Sequence, residues 1–216
     1  MDAIIFNIFG DLPIITKSWV LGSVAVSVVT STGIVDGAKT LYNYDLVFHR
    51  GQYQRILYSL FNFGELSWVS MINIFITANH LTILENSLTT KRRFLWMMFL
   101  MLSCILIMSV HTQPTASLGS ILHENLLYYI FKKSGNQMNI PIFGGNELMF
   151  LILPLYMYGM MYFVMKKSLF EISMNFLPAH IIYYCDNVFH KLYNIDLCKT
   201  PYDIWKDWGN EERNRE

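Results

Sequence analysis

The run Phe94 to Val110, "FLWMMFLMLSCILIMSV", contains no charged side chain. Such a stretch belongs in a large core or in a bilayer, because a spanning helix needs about 20 mostly apolar residues. The rest of the chain decides between the two. Ser18 to Val35, "SWVLGSVAVSVVTSTGIV", is also uncharged and rich in small residues. Leu148 to Met165, "LMFLILPLYMYGMMYFVM", is a third run, and neighbouring helices can accommodate its Pro154. Leu66 to Leu84, "LSWVSMINIFITANHLTIL", is a fourth, with polar interruptions. Only 15% of the 216 residues are charged, against about 25% in soluble domains. The expected fold class is an all-α polytopic membrane protein. Formal net charge is zero, so no basic field points to nucleic acid.

Two further segments are more polar. Pro114 to Phe131 contains "TASLGSILHENLLYYIF", and Leu169 to Phe189 contains Glu171, Pro178, His180 and Asp186. A strict hydropathy cut keeps four spans. Counting these two gives six, because polar side chains are tolerated where they face protein or water. The expected spans are 15–35, 66–84, 94–111, 114–132, 148–165 and 169–189. A loop over 36–65 carries the amphipathic run "YQRILYSLFNF", and a charged tail over 192–216 carries two Trp. The membrane domain is thus 1–191, and the tail is expected partly on the membrane surface.

Orientation follows the positive-inside rule. With six spans, the side holding the N-terminus, the 85–93 and 132–147 loops and the tail has eleven Lys and Arg. The other side has five: Lys39, Arg50, Arg55, Lys166 and Lys167. Both termini are therefore expected in the cytosol. The opening "MDAIIFNIFGDLP" lacks the basic region of a signal peptide and reads as an interfacial segment before an uncleaved first span. Cys104, Cys185 and Cys198 are odd in number and lack CxxC spacing, so no disulfide or metal framework is implied. No N-x-S/T sequon occurs.

His123-Glu124-Asn125 suggests two chemistries. A zincin helix needs H-E-x-x-H, with both histidines on one face. Here Leu127 occupies the second ligand position, so no metal is expected. An intramembrane serine protease needs a nucleophile within reach of a His base on another helix. His180 in "LPAHIIYY" offers a base. Upstream, "ASLGS" replaces the rhomboid G-x-S-G, leaving Ser117 and Ser120 as nominal nucleophiles or helix-packing residues.

Polar residues also recur at helical spacing. Asn73, Thr77, His80 and Leu84 share a face of the second span, flanked by Asn79 and Glu85. Ser120 and Glu124 stand at i, i+4, while Asn175, Ala179 and Asp186 share a face of the last span. Such stripes serve either as hydrogen-bonding glue between helices or as the wall of a hydrated cavity.

Four stretches together resemble the derlin family: "YDLVFHRGQYQRILYSLFNFG", "MINIFITANHLTILENS", "QPTASLGSILHENLLYYIFKKSGNQMNI" and "MNFLPAHIIYYCDNVFHKLYNIDLCKTPYD". The similarity spans nearly the whole chain and is greatest to the short fungal members. Derlins are rhomboid-like pseudoproteases of the endoplasmic reticulum membrane. The resemblance implies a rhomboid-like six-helix bundle without catalytic residues, cofactor or metal. It implies retrotranslocation of misfolded luminal polypeptides through a half-channel in thinned bilayer, shared with a membrane RING ubiquitin ligase. The other implied partners are the ligase's tethering scaffold and luminal recognition subunits. Spans two and five would form a lateral gate and polar faces of spans two, four and six a wet groove, with Asn73, Thr77, His80, Glu124 and Tyr156 as the expected groove and gate residues. Glu85, His123, Asn125, Asn175, His180 and Asp186 are expected as polar contacts within the bundle. Gln54-Arg55 resembles the family's Trp-Arg loop pair, with Gln in place of Trp. The tail has no F-x-G-x-G run for the cytosolic ATPase.

Overall fold

The computed structural model describes residues 12–110, 117–134, 158–159, 162–163, 166 and 168–213. The interfacial segment expected at the start, most of the 148–165 span and Tyr156 lie outside the described residues. Among the described residues all regular structure is helical.

Helix α1, Ile14–Ser31, starts after Pro13, whose ring sets a helix-compatible φ. It is followed by Gly33 at φ 73, a left-handed backbone suited to glycine. Thr16, Trp19, Val20, Ser23 and Ser27 are buried at intervals of one to four residues, forming one face. That face packs on α3, Trp68–Ser87, where Ile74 and Ala78 meet Val20. Small residues on both sides let the helices approach closely.

The 36–65 connection folds as a 3-10 turn at Gly37–Thr40, a π turn at Asp45–His49 and helix α2, Gln54–Phe61. Arg55 gathers these pieces. Its Nη1 donates to the carbonyls of Ala38 (2.7 Å) and Leu41 (3.2 Å), and its Nε donates to Gln52 Oε1 (2.6 Å). Gln54 is exposed at the helix start.

Helix α4 spans Lys91–Met108, with Thr90 accepting from the Arg93 N–H as its cap. Helix α5 spans Leu118–Ser134 and contacts α2, α3, α4 and α6, Leu169–Tyr183. Leu81, Leu84, Phe94, Met97, Met101, Leu118, Leu122 and Leu126 form the dry centre, and Ala179 and Ile182 close it from α6. After α6 the chain stays helical through a π turn, Tyr184–Val188, and α7, Phe189–Tyr193. Asn194 at φ 55 ends this run, and α8, Pro201–Arg213, forms the tail.

The helices differ from the expected spans by a few residues because caps, not hydropathy, set their ends. The second expected span begins at the Ser67–Ser70 capping box, and the third reaches back to Lys91. Among the described residues, Ile14–Ser31 alone is long and apolar enough to cross a membrane unaided. Helix α4 includes Lys91, Arg92 and Arg93, and α3 is interrupted by Asn73, Asn79, His80 and Glu85.

Glu85 joins the ends of two helices. Pro13 provides no side-chain cap for α1. Instead the buried Glu85 carboxylate, from the last turn of α3, accepts from the N–H of Ile15 (3.3 Å) and Thr16 (2.9 Å) and from the Thr16 hydroxyl (2.9 Å). A carboxylate at a helix N-terminus satisfies orphan donors and complements the helix dipole. Glu85→Ala should therefore destabilise the purified protein by about 1–3 kcal/mol, the cost of leaving buried donors unpaired. Glu85→Gln should fall between Ala and wild type in reversible unfolding in detergent. Equal stability of all three would contradict the cap.

Candidate functional site

The start of α5 fixes the positions of the nominal nucleophiles. Ser117 caps the helix, its Oγ accepting from the Ser120 N–H at 3.2 Å. The same hydroxyl faces the carbonyls of Asn62 (2.7 Å) and Ser59 (3.3 Å), and Ser59 Oγ accepts from the Leu118 N–H at 2.9 Å. Gly119 makes this possible, because a Cβ there would collide with the Leu60 carbonyl oxygen. "SLGS" is thus a fastener between α2 and α5.

His180 lies elsewhere. Its Nδ1 hydrogen-bonds the Tyr128 hydroxyl at 2.8 Å, and its ring packs against Tyr184. Tyr128 is ten residues along α5 from Leu118, about 15 Å of helical rise. The structure therefore brings the expected base to a tyrosine, several turns from Ser117.

The three polar residues in the middle of α5 divide their tasks. His123 Nε2 stands 2.7 Å from His80 Nδ1, with the rings stacked at 5.0 Å and an interplanar angle of 20°. This pair bridges α5 to α3. Glu124 is half-buried. Asn125 is fully buried and enters the backbone of α6. Its Nδ2 donates to the Asn175 carbonyl at 2.7 Å, and its Oδ1 accepts from the Ala179 N–H at 3.0 Å. Those are the two groups that an unbroken helix would join to each other. Pro178 lies within that turn, and a helix-interior proline displaces the preceding turn. The Asn125 amide offers that turn one donor and one acceptor. The shared face of Asn175 and Ala179 is thus engaged through the backbone.

A second cluster closes the opposite end of the bundle from Ser117. Buried Asp186 accepts from Arg93 Nη2 at 2.6 Å, from the Tyr129 hydroxyl and from Asn187 Nδ2 at 3.3 Å. Arg93 also meets Asp196 at 3.0 Å. One guanidinium thus ties α4 to the end of α6 and to the tail. Near this knot Cys198 is buried, and burial followed by the Asp186 charge pushes its thiol up to about 12.

The expected groove stripe on α3 is divided by depth. Asn73 and Asn79 are exposed. Thr77 is buried, and its hydroxyl bonds back to the Asn73 carbonyl at 2.8 Å. His80 is half-buried on His123, while Leu84 and Glu85 lie in the interior. Tyr128 and Tyr129 were not singled out from sequence. Arg93 counted only toward orientation, although an arginine flanking one span and an aspartate in another suggest a pair. Tyr128, Tyr158, Ile172, Phe176, Leu177 and His180 line a cavity of about 400 Å³. Among the described residues no group of three His, Cys, Asp or Glu side chains is placed to hold a metal ion.

Two outcomes test these contacts. Asn125→Leu leaves the Asn175 carbonyl and the Ala179 N–H without partners and should cost about 1–3 kcal/mol per buried group in detergent unfolding. Wild-type stability would show that α6 closes its own ladder. Arg93→Ala should release the tail, so that mass spectrometry detects faster alkylation of Cys198 than in wild type at neutral pH. Unchanged alkylation would mean that the tail is held by something else.

Comparison with known proteins places the chain. The model of the Der1-like family matches residues 12–202. The Saccharomyces cerevisiae protein called "Degradation in the endoplasmic reticulum protein 1" is 52% identical over 207 residues, covering 96% of this chain and 98% of that protein. The "Probable derlin-2 homolog" of Dictyostelium discoideum is 23% identical over 202 residues, covering 89% of this chain and 78% of that protein.

Proposed function

Because the chain belongs to the Der1-like family, we propose that it is a non-catalytic component of endoplasmic-reticulum protein degradation, helping misfolded luminal proteins cross the membrane. The likeness to the yeast degradation protein along nearly the whole chain carries this reading. The chain acts in the endoplasmic reticulum membrane as a six-span bundle over 1–191, with both termini and the 192–216 tail in the cytosol. It forms one half of a channel, and a membrane RING ubiquitin ligase forms the other. A tethering scaffold and luminal recognition subunits complete the assembly.

The geometry supports the absence of catalysis. The Ser117 hydroxyl is engaged by backbone groups, and His180 is engaged by Tyr128. An acyl-transfer site needs its nucleophile and base in mutual reach. The geometry also supports a wet groove. Asn73 and Asn79 are exposed on α3 beside Met71, Ile72, Phe75 and Ile76. Amides among apolar side chains give a passing hydrophilic chain hydrogen-bonding partners where lipid offers none. Short or polar spans favour local thinning, at a modest cost per Å of mismatch. Thr77, His80, Glu124 and Tyr156 complete the proposed groove and gate. Arg55 holds the luminal loop together, with Gln54 exposed beside it.

Photocrosslinkers at Asn73, Asn79 and Tyr156 should capture a stalled luminal substrate, whereas one at buried Leu84 should not. Capture of lipid or ligase alone at all three positions would remove the conduit. In the same cells, Ser117→Ala with His180→Ala should leave fluorophosphonate labelling at background, as in wild type. Serine labelling of the wild-type chain that is lost in this variant would show an active protease.

A further inference from the structure

Helix α8 carries an apolar face that the proposed groove does not use. Ile204, Trp205 and Trp208 are 55, 70 and 67% exposed, on one side of the helix. Its polar side is satisfied locally. Asp203 exchanges hydrogen bonds with Thr200, and Asp207 pairs with Lys199.

Two contacts set the height of α8 against the bundle. Arg93 binds Asp196 at 3.0 Å, and the Arg92 guanidinium stands 4.1 Å from the centre of the Tyr202 ring. Arg92 and Arg93 begin α4, immediately before its apolar run. The first turn of α8 is therefore held level with the edge of the apolar layer. Tryptophan is favoured at that depth, and an amphipathic helix there buries its apolar face between headgroups and acyl chains.

We infer that α8 lies in the interface of the cytosolic leaflet, with Ile204, Trp205 and Trp208 in lipid. This rests on the membrane orientation proposed above. Asp203, Asp207, Glu211 and Glu212 outnumber Lys206 and Arg213 along the helix. The attraction is therefore apolar, and anionic lipid adds nothing to it. A helix wedged at this edge also occupies headgroup area beside α4, in the leaflet through which a substrate would emerge.

Tryptophan fluorescence in reconstituted bilayers tests the placement. One full-length chain carries Trp19→Phe, Trp68→Phe and Trp96→Phe, so that only Trp205 and Trp208 emit. In phosphatidylcholine bilayers, lipid brominated near the headgroup end of its chains should quench them strongly. Lipid brominated at the chain ends should quench weakly, and added phosphatidylserine should change neither result. A second chain carries Trp68→Phe, Trp205→Phe and Trp208→Phe, so only Trp19 and Trp96 emit and report whether the bundle spans the bilayer. Quenching of the second chain by brominated lipid, with the first quenched only by aqueous acrylamide, would overturn the placement of α8 alone. Lack of lipid quenching in both would overturn the membrane reading beneath it. Protection of Trp205 and Trp208 only after a cytosolic protein is added would make the face a protein groove and also overturn the inference. In a chain keeping all five Trp, Trp205→Glu with Trp208→Glu should raise trypsin cleavage at Lys206 severalfold in intact vesicles. Unchanged cleavage would contradict it.

Discussion

The Asn125 amide, set into the backbone of α6, is the contact on which the bundle turns. Helix α5 runs through the centre and touches α2, α3, α4 and α6. Its packing on α6 falls on the turn that holds Pro178, where the Asn175 carbonyl and the Ala179 N–H both meet the Asn125 amide. Unpaired backbone groups are costly away from water, so that turn needs a partner with a donor and an acceptor at the right separation. An asparagine supplies both. Close packing of Ala179, which is completely buried, follows from holding the two backbones together there.

The same logic recurs at both ends of the bundle. Glu85 completes the first turn of α1, which has no cap of its own. Ser117 completes the first turn of α5 and fastens it to α2. Asp186 collects Arg93 and Tyr129 at the end opposite Ser117. Residues that look like fragments of an active site are therefore committed to holding helices in register. Among the described residues of α3, the amides of Asn73 and Asn79 stay exposed.

Among the described residues, helix type was legible in the uncharged runs Ser18–Val35 and Phe94–Val110, most of which lie in α1 and α4. That the polar residues of the second and fourth segments must face protein or water was also legible. Which partner each would find was not. Helical spacing places Asn73, Thr77 and His80 on one face, yet depth within the bundle separates exposed Asn73 from buried Thr77. The His80–His123 pair, the Asn125 bridge and the Glu85 cap join residues between 43 and 70 positions apart. Such pairings depend on helix rotation and height, which one-dimensional periodicity does not carry.

Decay of a misfolded luminal glycoprotein, followed after synthesis is stopped, tests the central claim most directly. The cells' only copy of the chain would carry Asn73→Leu and Asn79→Leu. Both residues are exposed, so the bundle should assemble and accumulate normally. The account predicts a stable, normally abundant protein with luminal substrate decay slowed severalfold and membrane-protein turnover unaffected. Wild-type decay at wild-type abundance would contradict it, because the conduit would then work without the polar surface assigned to it.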